Sequence, residues 1–133
     1  MTSFDGPLGV GQLAIPVADL ERALTFYRDV LGLRFLFQAP PELAFLDCGG
    51  VRLMLTRPQR NETSPAAGVI YYRVGDLDAA YAALRERGAV FVDRPHRIAR
   101  LADHELWMVF LHDPDNHLLA LMAERPLLPD GAT

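Results

Sequence analysis

The chain has 133 residues and a mass of 14.8 kDa; half of the residues are hydrophobic and the formal net charge at pH 7 is −4. That is the size and composition of a single globular domain with a core of its own, and the negative balance with scattered arginines speaks against a nucleic-acid partner. No apolar run reaches the ~18 residues that span a bilayer, and the opening MTSFDGPLGV lacks the basic-then-apolar layout of a secretory leader, so a cytoplasmic protein with no membrane partner is expected.

The first strand is expected from Gln12 to Val17, with Leu13, Ile15 and Val17 alternating toward a helix. Asp19 can cap that helix, because its carboxylate can accept the orphan amide hydrogens of the first turn. Behind it Leu20, Ala23, Leu24, Tyr27 and Leu31 form one apolar stripe, and Gly32 suits a left-handed stop. Three strand-like runs come next, Arg34–Phe37, Glu42–Leu46 and Val51–Leu55, with Gly49-Gly50 as the hairpin between the last two. The polar, proline-bounded stretch from Arg57 to Pro65 reads as a linker.

The pattern then starts again. Val17 falls on Val74, Asp19 on Asp76, Leu20 on Leu77 and Ala23 on Ala80, all at an offset of 57. A period this long in so short a chain marks a duplicated supersecondary unit. After Asp76 come a helix with Leu77, Ala80, Tyr81 and Leu84, a stop at Gly88, and strand-like runs at Val90–Val92, around Pro95–Ala99, at Leu106–His112 and at Leu118–Met122. Asp113-Pro-Asp-Asn116 makes the last turn, with Asn116 taking the left-handed position. One domain over 1–133 is expected, with module one at about 10–57, a linker at about 58–66, module two at about 67–124, and a loosely ordered tail after Glu124.

Absences narrow the chemistry. There is no lysine, which removes Schiff-base catalysis and a phosphate-loop lysine. The two serines, Ser3 and Ser64, lie outside any Gly-x-Ser-x-Gly setting, and no Gly-x-Gly-x-x-Gly follows a strand. A single cysteine, Cys48, forms neither an intrachain disulfide nor a Cys-cluster zinc site.

The run Ile15-Pro-Val-Ala-Asp-Leu20, the run Phe26-Tyr-Arg-Asp-Val-Leu-Gly32 and the turn Asp113-Pro-Asp-Asn116 resemble the glyoxalase/bleomycin-resistance/dioxygenase (vicinal oxygen chelate) superfamily, over roughly residues 12–124. The resemblance implies an α+β fold of two tandem βαβββ modules, forming curved mixed-sheet half-barrels around a concave pocket. It also implies four metal-ligand positions, one on the first and one on the last strand of each module. These fall on Gln12, Met54, Val69 and Ala120. Only Gln12 has a donor of any hardness, so no cofactor is expected, and a divalent metal is compatible only with a non-standard site. The fold's habit of dimerising implies a homodimer.

Alternation places Gln12, Arg52, Met54, Tyr71 and Arg73 on the pocket face. If the last turn is a three-residue loop with a bulge at Asn116, Phe110 pairs with Ala120 and Met108 with Met122, adding all four, with Trp107 on the opposite face. The wall is then apolar and methionine-rich, with Arg73 as the group to orient a ligand carboxylate. Two functions remain open at this point: a metal-free binder of an apolar or aromatic small molecule, and a superfamily enzyme of the lactoylglutathione-lyase or epimerase kind. For the second, His96, His104, Glu105 and Glu124 are the candidates for metal or acid–base work. A protein-interaction module is a third reading with only the dimerising habit behind it.

Overall fold

A computed structural model describes residues 4–5, 8–57 and 68–127. The chain divides into two compact units, Met1–Ser64 and Pro65–Thr133. The linker expected at 58–66 lies outside the described residues. The architecture is α+β: each unit is a curved mixed sheet with one helical layer, and neither sheet closes into a barrel.

The first unit runs β1 (Gln12–Pro16), α1 (Leu20–Leu24), β2 (Arg34–Ala39), β3 (Leu43–Cys48) and β4 (Val51–Thr56), in the sheet order β1-β4-β3-β2. The β1–β4 pair is parallel and the others antiparallel. Asp19 caps α1 as expected, its Oδ1 accepting from the Arg22 amide at 3.0 Å. The helix does not stay α-helical to its end. From Thr25 to Val30 it widens into a π-helical turn, in which the Leu31 amide donates to the Phe26 carbonyl at 2.8 Å. The wider turn rotates the residues after it, so Phe26 joins Tyr27 in the core, edge-to-face at 5.0 Å, while Leu31 is only half-buried. Ile15, Leu53, Leu55, Ala44 and Leu46 form the helix-facing side of the sheet. Leu13 shares their alternation but stays 37% exposed, because β1 is an edge strand and covers it from one side only. The β3–β4 hairpin closes through Gly49 (φ 59) and Gly50 (φ 92), a two-residue left-handed turn that side-chain-bearing residues adopt only with strain.

The second unit runs β5 (Ile70–Arg73), α2 (Leu77–Glu86), β6 (Val90–Phe91), β7 (His96–Arg100), β8 (His104–His112) and β9 (Leu118–Pro126). Its sheet order is β5-β9-β8-β6, and β7 also pairs with β8. Asp76 caps α2 through the Ala79 amide at 3.1 Å. The strand after α2 is broken in two, and Asp93 bridges the break by accepting the Phe110 amide at 2.8 Å. Asp113, 5% exposed, organises the last turn: its Oδ1 accepts from the amides of Asp115 at 2.9 Å and His117 at 2.8 Å, and Asn116 has φ 67. The resulting register is the expected one, Phe110 opposite Ala120 and Met108 opposite Met122. β9 continues to Pro126, two residues into the tail expected to be loose after Glu124, and Arg125 finds partners there on two elements; the rest of that tail, 128–133, lies outside the described residues. The Arg125 guanidinium lies 4.0 Å from the Trp107 ring centroid and 3.0 Å from the Asp78 carboxylate on α2.

Candidate binding faces

Strand alternation gives each sheet a side without a helix, and the candidate residues sort onto these sides unit by unit. In the first unit the parallel pairing sets Gln12 beside Arg52 and Ala14 beside Met54. The Gln12 amide is used at both ends: Oε1 accepts from Arg52 Nε at 2.8 Å and Nε2 donates to the Met54 sulfur at 3.7 Å. Phe45, opposite Met54 on β3, shares that side. It stacks on Phe37 with centroids 4.5 Å apart, and the Arg52 guanidinium lies 5.2 Å from its centroid. Sequence reasoning misses both phenylalanines. The alternation of β3 carries a signal for Phe45, but a bulge between Phe35 and Phe37 hides the placement of Phe37.

In the second unit Tyr71, Ala120 and Phe110 lie in one cross-strand row, as do Arg73, Met122 and Met108. Ala120 is fully buried, and its single methyl lets the Tyr71 and Phe110 rings meet edge-on at 6.1 Å. Tyr71 remains 47% exposed. Arg73, on the edge strand β5, is exposed, and its side chain has no hydrogen bond or ion pair among the described residues. Val69 precedes β5 and is half-buried.

The acid–base candidates do not share one face. His96 pairs opposite Met108, and its Nδ1 lies 2.7 Å from the Arg94 carbonyl, to which it donates. His104 shares the side of Met108 and Phe110. Its Nδ1 lies 2.6 Å from Asp103 Oδ1 and its Nε2 lies 3.7 Å from Glu124 Oε1. The bond to His104 holds the Asp103 carboxyl below its usual range. Glu105 points the other way, with Trp107. Its carboxylate accepts from the Trp107 indole at 3.0 Å and from Arg97 at 3.1 Å, and these two bonds, the indole's first, lower its pKa. A carboxylate so engaged on the helix side works as a structural acceptor, and period-two alternation from Trp107 already carries that placement.

Among the described residues no group of three or more His, Cys, Asp and Glu is arranged to hold a metal ion. The four positions implied by the resemblance do not fit a divalent ion either. Gln12 Oε1 already faces a cation, the Arg52 guanidinium, Met54 offers a soft thioether, and Val69 and Ala120 are hydrocarbon.

Residues 9–121 match the Glyoxalase/Bleomycin resistance protein/Dioxygenase superfamily. Among solved structures, the chain is similar to a glyoxalase/bleomycin resistance protein/dioxygenase from Alicyclobacillus acidocaldarius, at 28% identity over 91% of this chain and 95% of that one, with a TM-score of 0.69. A lactoylglutathione lyase from Agrobacterium tumefaciens matches at 23% identity, over 89% and 95% of the two chains, with a TM-score of 0.72. An antibiotic binding protein from Streptomyces sp. CB03234 also matches at 23%, over 91% and 99%, with a TM-score of 0.73. The last two likenesses show the fold alone.

Proposed function

The chain belongs to the Glyoxalase/Bleomycin resistance protein/Dioxygenase superfamily, and on that premise we propose that it is a binding protein that holds an apolar or aromatic small molecule against a helix-free sheet face. The observation that carries this reading is the make-up of the helix-free faces. Met54, Met108 and Met122, with Tyr71, Phe110 and the Phe37–Phe45 stack, stand where no helix covers them. Polar groups are few: Gln12, Arg52, Arg73 and the histidines His96 and His104. Methionine adapts its shape to irregular partners, and a mostly apolar wall with a few polar groups is the usual composition of a small-molecule site. That an antibiotic binding protein shares the fold agrees with it.

The test is equilibrium titration of the full chain with a neutral aromatic probe, 2-naphthamide, followed by calorimetry. Met54→Ala tests the first sheet and Phe110→Ala the second; the variant on the sheet that holds the probe is expected to weaken binding about fivefold or more, because it removes apolar contact area of a few tens of Å² at ~25 cal/mol per Å². Unchanged affinity in both variants sinks the reading. A homodimer belongs to the same proposal, since β1, β2 and β5 end their sheets as edges that symmetric pairing can cover. A monomeric mass in light scattering contradicts it.

One observation favours an enzymatic reading as second choice. His104, with Nδ1 on Asp103 and Nε2 turned toward Glu124 on a helix-free face, has the arrangement of an oriented base. An isomerase, lyase or epimerase of the superfamily could use it to move a proton beside a carbonyl. Turnover that produces lactoylglutathione and is lost in His104→Gln would promote this reading over the first.

A further inference from the structure

Two guanidinium groups on the helix-free faces, Arg52 and Arg73, differ in how they are held. Arg73 sits on an edge strand with no fixed partner among the described residues. Arg52 is fastened by Gln12 through Nε and lies over the Phe45 ring, so its Nη fork is left for a ligand. Gln12 is itself fixed by Met54. The nearest acid in the register, Asp47, is engaged elsewhere: Oδ1 accepts the Gly50 amide at 3.3 Å, and Oδ2 lies 3.7 Å from Arg34. A positive charge therefore stands in a set orientation beside an aromatic stack and a thioether.

We propose that Arg52, positioned by Gln12, anchors an anion subsite on the first sheet, which takes one carboxylate carried on a planar apolar body. The inference rests on the small-molecule reading above and narrows it to a ligand class. At the position where the superfamily resemblance implies a metal ligand, Gln12 holds a guanidinium instead, and that fixed cation supplies the positive charge. A guanidinium fork matches a carboxylate's two oxygens. Tying Nε beforehand lowers the ordering cost of binding. Phe45, Phe37 and Met54 offer the surface for the ligand's body.

The experiment compares 2-naphthoate with 2-naphthamide by calorimetric titration of the full chain. The unaltered protein is expected to prefer the carboxylate by about tenfold or more, the scale of a hydrogen bond to a charged group. Arg52→Gln should bring the two ligands within about twofold of each other, with the loss falling mainly on the carboxylate, a split that lost packing would not produce. Gln12→Leu, which frees the guanidinium, should keep part of the preference. Raising the salt concentration should erode it, and a chelator should leave it untouched. Equal binding of both ligands by the unaltered protein overturns the inference and leaves the small-molecule reading standing. A preference that vanishes in Arg73→Gln but survives Arg52→Gln overturns it by moving the anchor to the second sheet. Binding abolished by the chelator assigns the charge to a metal and overturns it as well. Failure of 2-naphthamide and 2-naphthoate alike removes both proposals together.

Discussion

Replacing Ala120 with glutamate puts a carboxylate where the superfamily resemblance implies a ligand, and the packing around that position sets the cost. Ala120 is fully buried beneath the Tyr71–Phe110 pair. A longer side chain must push those rings apart, forfeiting an aromatic contact of about 0.5–1.5 kcal/mol and adding about 1–3 kcal/mol of overpacking. Ala120→Gln carries that steric part together with the cost of a buried amide, at least about 2–4 kcal/mol and nearly independent of pH. Ala120→Glu adds a desolvation cost, because burial raises the folded-state pKa of the new carboxyl above its unfolded value. Such a group is penalised only where the unfolded chain ionises and the folded one resists. The extra deficit is therefore absent below the unfolded pKa near ~4.3 and grows by about 1.4 kcal/mol per pH unit until the folded pKa is reached. Urea unfolding at acid and at neutral pH measures the difference between the two variants. A neutral-pH difference near zero, or full stability for either variant, would refute the packing argument. Rescue of Ala120→Glu by a divalent cation would show that the remaining positions can still assemble a metal site.

Three further outcomes are expected. Arg125→Ala should destabilise the protein by about 1–2 kcal/mol, combining the Trp107 stacking with a partly exposed ion pair to Asp78, and Asp78→Ala should cost less; equal losses in urea melts would leave the stacking with no role. Because the Trp107 indole and Arg97 lower the Glu105 pKa, its contribution to stability is present above the unfolded value near ~4.3 and is lost as pH falls through the folded one. Glu105→Gln should accordingly flatten the acid limb of the stability curve, and an unchanged limb would count against that role. Burial raises the Cys48 thiol, helped by neighbouring Asp47, so alkylation near pH 8 should run slower in the folded chain than in urea; identical rates would contradict it.

The parts legible in the sequence are those with local causes. The Asp-Pro-Asp-Asn turn has one comfortable geometry, and from it the pairing of Phe110 with Ala120 and of Met108 with Met122 comes by counting. Asp19 and Asp76 cap helices for reasons contained in four residues each. The features that escaped have causes distant along the chain. Asp93 bridges a broken strand by reaching the Phe110 amide, seventeen residues on. The guanidinium that ends up fixed is Arg52 and not Arg73, because parallel pairing sets Gln12 beside it from forty residues away. Glu105 is the case where the signal was present: the same alternation that puts Trp107 on the helix side puts Glu105 there too.

The widened turn in the first helix carries a record of how the two halves diverged. Gly32 lies thirteen residues beyond its cap Asp19, whereas Gly88 lies only twelve beyond Asp76. Both glycines nonetheless stop their helices at the same φ of 93°. The surplus residue has been taken up inside the helix, as one loose coil in an otherwise tight spring, so neither the cap nor the stop had to move. A segment of this kind works as a length buffer, where an insertion can be absorbed without passing an error on to the sheet. Taking one residue back out at exposed Thr25 should rewind the coil into a plain counterpart of α2. The loss would be felt in the core, since a tighter turn can no longer turn both Phe26 and Tyr27 inward.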